Sequence, residues 1–180
     1  MSKILDKFTP KYEHSINKGL SFHTLKYVRD NTDFDFDVFL KSKNKNLQRE
    51  LCWTNLQKHS LIYTILRDRR INPIVVVQYK TPENETKNYF FKVIDGKQRL
   101  NTAFDYIDNK FSIPIDGLDY YFKDLPEDCQ RRILGYNFIW DVHYSYWDKE
   151  ISDDTMIQIF EECNFLGTPQ DTLHLHYLKQ

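Results

Sequence analysis

The sequence predicts an α+β fold, a small mixed β-sheet with helices packed on it, and three observations carry that expectation. Short β-branched or alternating runs recur along the chain, the clearest being Ile74-Val75-Val76-Val77. Between such runs lie segments whose apolar residues return at helical spacing, as Leu100, Ala103, Phe104 and Ile107 do. The length of 180 residues suits one domain, large enough to bury about two-thirds of its unfolded surface without disulfides or a structural metal.

The elements follow in chain order. Residues 1–46 form an N-terminal extension with little pattern, apart from Phe34-Asp35-Phe36-Asp37-Val38, which alternates like a half-buried strand. Residues 47–52 read as short and extended. An amphipathic helix is expected over 53–69, capped by Thr54, with Leu56, Ile62, Tyr63 and Leu66 as its apolar side and Asn72-Pro73 closing the element. Residues 74–77 and 89–94 read as the strands of a hairpin, joined by polar turn material at 81–88. Asp95-Gly96 interrupts the second strand, and 97–108 should be helical. A short strand at 111–115, a helix at 125–134 opened by Pro126, a strand at 137–146 and a helix at 153–163 come next. Gly167-Thr168-Pro169 then breaks the chain before a last helix at 170–178. Nothing resembles a repeat or an interdomain linker, so a single domain spanning 1–180 is expected.

The formal net charge of −1 sets up no global field that would draw the protein to nucleic acid. Locally the charge is uneven. Residues 41–70 are basic, through Lys41, Lys43, Lys45, Arg49, Lys58, Arg67, Arg69 and Arg70, whereas 116–171 are acidic. A solvated face accounts for most such charges and a binding surface for the remainder. Cys52, Cys129 and Cys163 are odd in number and far apart, which points to neither a disulfide framework nor a zinc site. The segment Met1 to Lys7 lacks a signal-peptide core, and no window approaches the ~18 apolar residues of a membrane span. A cytoplasmic protein without membrane contact is expected.

Chemistry concentrates first at Val93-Ile94-Asp95-Gly96-Lys97-Gln98-Arg99-Leu100, where a buried strand passes through a glycine turn directly into a helix. Free backbone N–H groups and the positive dipole end at such a helix start favour an anion. Gly96 lets backbone approach a ligand, Lys97 and Arg99 add charge, and Gln98 can donate through its amide. Asp95 could cap the helix or hold a divalent cation carried by phosphate oxygens. A capped helix with exposed Lys and Arg explains the same residues equally well. Two further segments, Gln48-Arg49 before Trp53, and Phe160 to Pro169 with Asn164 and Thr168, gain meaning only in company with the first.

Together, and in this order, the three segments make the chain resemble the ParB/sulfiredoxin fold, in the branch formed by the N-terminal domains of GmrSD-type restriction proteins. The family pattern has a Gln-Arg pair before an aromatic-headed helix, matched by Gln48, Arg49 and Trp53. A strand then leads into Asp-Gly-Gln-Gln-Arg-Leu, matched by Asp95 to Leu100 with Lys97 as the change. A Leu-Pro helix follows, as at Leu125-Pro126. A final Phe-x-x-Ile-Asn-x-Gly-Gly-Thr-Pro-Leu segment is matched at Phe160, Asn164, Gly167, Thr168 and Pro169, while Cys163, Leu166 and Gln170 depart from it.

The resemblance implies a nucleotide-binding and NTP-hydrolysing regulatory domain, coupled to DNA or to a protein partner in phage–host conflict. It implies a nucleoside triphosphate with Mg²⁺ as ligand. Asp95, Gln98 and Arg99 would be catalytic, with Asp95 also holding the metal. Gln48, Arg49, Gly96, Lys97, Asn164 and Thr168 would bind the nucleotide. It also implies a possible homodimer. The alternative is a non-enzymatic DNA- or protein-interaction module with a vestigial nucleotide site. Sulfiredoxin chemistry is not expected, because the position two before the motif arginine, where that nucleophilic cysteine sits, is Lys97. Larger family members carry a His-Asn-His nuclease domain after this one, and a chain ending at Gln180 is not expected to cut DNA. His174 and His176, two apart, would point to different faces of a helix and make a poor metal pair.

Overall fold

A mixed five-stranded sheet forms the centre of the computed structural model, which describes residues 16–79, 89–145 and 150–165. The elements are β1 (Ile16–Thr24), α1 (Leu25–Asn31), β2 (Thr32–Asp35), β3 (Phe39–Leu40), β4 (Lys45–Asn46), α2 (Asn55–Leu66), β5 (Ile74–Tyr79) and β6 (Tyr89–Asp95). They continue with α3 (Lys97–Ile107), β7 (Ile113–Ile115), β8 (Leu118–Tyr120), a 3₁₀ turn (Phe122–Asp124), α4 (Glu127–Leu134), β9 (Asn137–Ser145) and α5 (Asp153–Phe165). The strand order is β1-β9-β5-β6-β2. β1/β9 and β5/β6 are antiparallel, whereas β5/β9 and β2/β6 are parallel. The α+β class expected from the sequence is thus what the chain adopts.

Period-two alternation sorts the strand side chains onto two faces. Ile74, Val76, Phe91, Val93, Phe138, Trp140 and Val142 pack with Leu25, Val28, Ile62, Ile65, Leu100, Ala103 and Ile133 from α1 to α4. Trp140 is fully buried there, ringed by Phe34, Phe91 and Phe138. Val75, Val77 and Ile94 face the other way, against Val38, Leu40 and Leu47 and the α5 residues Met156, Ile157, Ile159 and Phe160. Helices thus cover one face, and α5 with the 38–47 segment covers the other.

Local chemistry explains most element ends. At α2, Thr54 accepts from the Gln57 N–H while the Gln57 side chain accepts from the Thr54 N–H, a reciprocal cap. The helix buries Leu61, Ile62 and Ile65, and leaves Leu56 largely in solvent rather than on its apolar side. It closes through Asp68 at φ 52, with the Asp68 N–H bonded to the Ile65 carbonyl and the Arg69 N–H to the Thr64 carbonyl, the paired bonds of a Schellman stop. Pro126 sits at the N-cap of α4. β2 ends at Asp35, short of the alternation through Val38, because the Asp35 carboxylate accepts from the Asp37 N–H and turns the chain. The Asp116-Gly117 pair, both at positive φ, folds β7 and β8 into a two-residue hairpin that the sequence reading left out.

Two differences matter more. Residues 47–52, expected to be extended, are an irregular segment. Within the nominal N-terminal extension, β1 pairs along β9 at the sheet edge, and α1 buries Leu25 and Val28 in the core. The 81–88 turn, the break at Gly167-Thr168-Pro169 and the helix expected at 170–178 lie outside the described residues. Among the described residues no helix is long and apolar enough to cross a membrane.

Candidate functional site

The strand-to-helix junction expected at Asp95 to Arg99 is where the sequence places it, between β6 and α3. The β5/β6 register shifts between Val75 and Val76, so Val75 faces Asp95 and Val76 faces Val93, which leaves Ile94 as an extra residue. Such an irregularity re-aims the strand that follows it. Gly96 then turns the chain at φ 106 and serves as N-cap of α3, without any side-chain cap on that helix start. A Cβ on Gly96 would lie 2.6 Å from Ile74 Cδ1 and 3.2 Å from its Cγ2. Glycine is required here by the backbone angle and by the buried Ile74 beside it.

Asp95 is not the helix cap. Its Oδ2 accepts from Arg99 Nη2 at 2.5 Å, one helical turn away, while Arg99 Nη1 donates to the Asn72 carbonyl at 2.9 Å. The arginine side chain is 12% exposed. It therefore ties the β6–α3 turn to the loop that enters β5. Lys97 turns into the protein, and its ammonium stands 2.5 Å from Asp37 Oδ1, with the lysine side chain 5% and the aspartate 69% exposed. Gln98 reaches across 46 positions. Its Oε1 accepts from the Cys52 and Trp53 N–H groups at 3.2 and 3.3 Å, and its Nε2 donates to the Glu50 carbonyl at 2.9 Å.

That last contact brings the first two sequence segments together. Gln48 Nε2 donates to the Val93 carbonyl, so the 48–53 segment is fastened to β6 on one side of Arg49 and to α3 on the other. Arg49 itself is exposed and makes no hydrogen bond or ion pair among the described residues. The segment that carries Arg49 is thus fastened next to the uncapped start of α3. The third segment behaves differently. Asn164 lies at the end of α5, where its amide donates to the Phe160 carbonyl of its own helix, and Thr168 lies outside the described residues.

Beside the junction, an open cleft of about 400 Å³ runs between α2 and the loop before β5. Trp53, Leu56 and Ile71 make its apolar walls, and Asn72 and Arg99 its polar end. Sequence reasoning missed three partners here. Asp37 was read only as part of a strand, Asn72 only as a helix stop, and Ile71 not at all. Each acts through a contact distant in sequence, and no local spacing announces it. Among the described residues there is no group of three or more His, Cys, Asp or Glu side chains that could hold a metal by themselves.

The family model described as the GmrSD restriction endonuclease, N-terminal domain, matches residues 35–176. No curated protein and no solved structure matches. The matched span contains all three segments and starts at the end of β2, after β1 and α1.

Proposed function

The chain belongs to the GmrSD restriction endonuclease N-terminal-domain family, and from that premise we propose that it binds a nucleoside triphosphate at the β6–α3 junction and hydrolyses it as a regulatory step in restriction of phage DNA. The observation that carries the reading is Arg49, a guanidinium unpaired among the described residues on a doubly fastened segment next to a helix start with no side-chain cap. Free N–H groups at the first turn of α3 suit phosphate oxygens, and a planar, permanently charged fork suits them further. Phosphoryl transfer depends mostly on positioning and charge neutralisation, which a fixed arginine supplies. The cleft walled by Trp53 and Ile71, with Asn72 at its polar end, has the size and lining for a base.

Magnesium ions usually keep several waters and take only one or two protein carboxylates beside substrate phosphates. Asp95 fits that role, since its Oδ1 is left over from the pairing with Arg99 among the described residues. Bound there on the triphosphate, Mg²⁺ would supply neutralisation of phosphate charge. Arg99 would hold the Asp95 carboxylate in place, and Gln98 would hold the Arg49 segment rather than a water.

A second reading has its own support. Lys97, Gln98 and Arg99 spend their polar groups on the protein, and Asp95 one of its two oxygens, as expected of an interaction module whose nucleotide site is vestigial. Thermal-shift titration with each of the four NTPs and Mg²⁺ separates the two. At ~100 times its dissociation constant a ligand stabilises by about 2.7 kcal/mol, a shift of several degrees. A rise with at least one NTP, with phosphate release, supports the first reading. No rise with any of them leaves the second.

A further inference from the structure

The chain is rich in lysine and sparing with arginine, with 17 of the first and 8 of the second among its 25 basic residues, yet five of those eight arginines gather in one place. Arg67, Arg69 and Arg70 occupy the stop and loop after α2, and Arg131 and Arg132 the last turn of α4. These two regions touch. Arg132 Nη1 reaches the Leu66 carbonyl at 3.4 Å, and the Tyr136 hydroxyl, just beyond α4, donates to the Arg69 carbonyl at 2.7 Å.

We infer that Arg67, Arg69, Arg70 and Arg132 form a docking surface for the phosphate backbone of duplex DNA. All four are exposed, and none pairs with a carboxylate among the described residues. Arg67 lies over the Tyr63 ring at 5.8 Å, Arg132 hydrogen-bonds a carbonyl, and the side chains of Arg69 and Arg70 make no hydrogen bond, ion pair or ring contact among the described residues. Arg131, paired with Glu127 at 2.8 Å, is the one already engaged. Cations at two helix C-termini complement the helix dipoles, which accounts for Arg67 and Arg132. It does not account for Arg69 and Arg70, which lie past the end of α2, where the dipole effect has faded. The backbone beneath them is rigid, held by the Schellman bonds of Asp68 and Arg69 and by Tyr136. Guanidiniums that are unpaired among the described residues and rise from a hydrogen-bonded backbone, on a protein of net charge −1, fit a regularly spaced polyanion better than a flexible acidic chain. The same loop continues into Asn72, whose carbonyl holds Arg99, so the surface abuts the junction.

This inference goes beyond the nucleotide reading and is tested without nucleotide, so that the two fail separately. The full chain is titrated into fluorescent 20-base-pair DNA by anisotropy across a salt series. Four phosphate contacts give a slope of log K against log salt of about −3 to −4. Arg69→Ala with Arg70→Ala should flatten the slope by about two units, with an unchanged circular dichroism spectrum and melting temperature. Lys123→Ala, which removes one exposed charge on the 3₁₀ turn, should leave slope and affinity as in the parent. Three results would overturn the proposal: no DNA binding at 50 mM salt, an unchanged slope in the double variant, or a similar loss in Lys123→Ala. Poly-glutamate of matched charge serves as probe for an acidic protein partner, and binding as tight as that of DNA would equally overturn it.

Discussion

Arg99 and Arg49 look alike in the sequence, each beside a glutamine and each at a candidate phosphate site, but the fold gives them opposite surroundings. The guanidinium of Arg99 is nearly enclosed and bonded to Asp95 and to the Asn72 carbonyl. That of Arg49 is exposed and bonded to nothing among the described residues. The contrast extends to their neighbourhoods. Around Arg99 the motif side chains hold the β6–α3 turn together, whereas around Arg49 the neighbouring side chains hold only the backbone and leave the charge free. Residue types that suit a ligand also suit the scaffold that presents it, and only the partners tell which use prevails.

The largest expected effect tests this division directly. Arg99→Ala should cost about 1.5–3 kcal/mol of stability, since it strips a charge-assisted bond from Asp95 and orphans the Asn72 carbonyl. Arg49→Ala should change stability by less than about 0.5 kcal/mol, as exposed substitutions usually do, and should lower NTP affinity about tenfold to a hundredfold. Urea unfolding of both variants, paired with nucleotide titration, measures the contrast. Should Arg99→Ala prove silent in unfolding while Arg49→Ala destabilises, the assignment of holding and reaching roles would be reversed.

A similar asymmetry lies within the Lys97–Asp37 pair, at a smaller scale. Removing Asp37 leaves a buried ammonium alone, which is costly, whereas replacing Lys97 by an apolar residue of similar shape removes the need for a partner. Asp37→Ala is expected to cost about 1–2 kcal/mol, the lower part of the range because the aspartate is largely exposed, and Lys97→Met less than about 1 kcal/mol. Melting of the two single variants decides. If Lys97→Met were the worse of the pair, the lysine charge would have a second partner or a ligand.

How much of this was legible beforehand follows the range of the interactions. The helix after Thr54, the β5 and β6 strands and the Asp95-Gly96 turn are written in caps, β-branched runs and a glycine, all local signals. β1 escaped because its pattern is inverted. Leu20 and Phe22 point to solvent at 65% and 64% exposure, while Ser21 and His23 stand opposite Trp140 and Phe138 on the core face. The 47–52 segment escaped because its shape comes from Gln48 and Gln98 bonding across some 45 positions. Neither periodicity nor propensity carries such information. The sequence reading took the motif residues as a set, but the division of those at 48–49 and 95–99 into ties and free groups depends on Asp37, Asn72 and Glu50, which no motif contains.

A modest effect on stability has the sharpest consequence for the site. Gln98 holds the 50–53 segment through three hydrogen bonds, but the backbone groups involved are close to solvent and water can replace the lost partner. Gln98→Ala should therefore cost only about 1 kcal/mol. Freed on that side, the Arg49 segment would have to be ordered again on each binding event, and fixing a single residue's backbone costs about 1–2 kcal/mol. Nucleotide affinity should then fall roughly tenfold, although Gln98 itself need never touch the ligand. The distinguishing measurement is a double-mutant cycle with Arg49→Ala. If Gln98 acts through Arg49, its removal should matter little once the guanidinium is gone, and the two losses should fall short of additive by about 1 kcal/mol or more. Additive losses would mean that Gln98 contacts the nucleotide independently, and the distinction between tie and reach would then fail at the residue where the two regions meet.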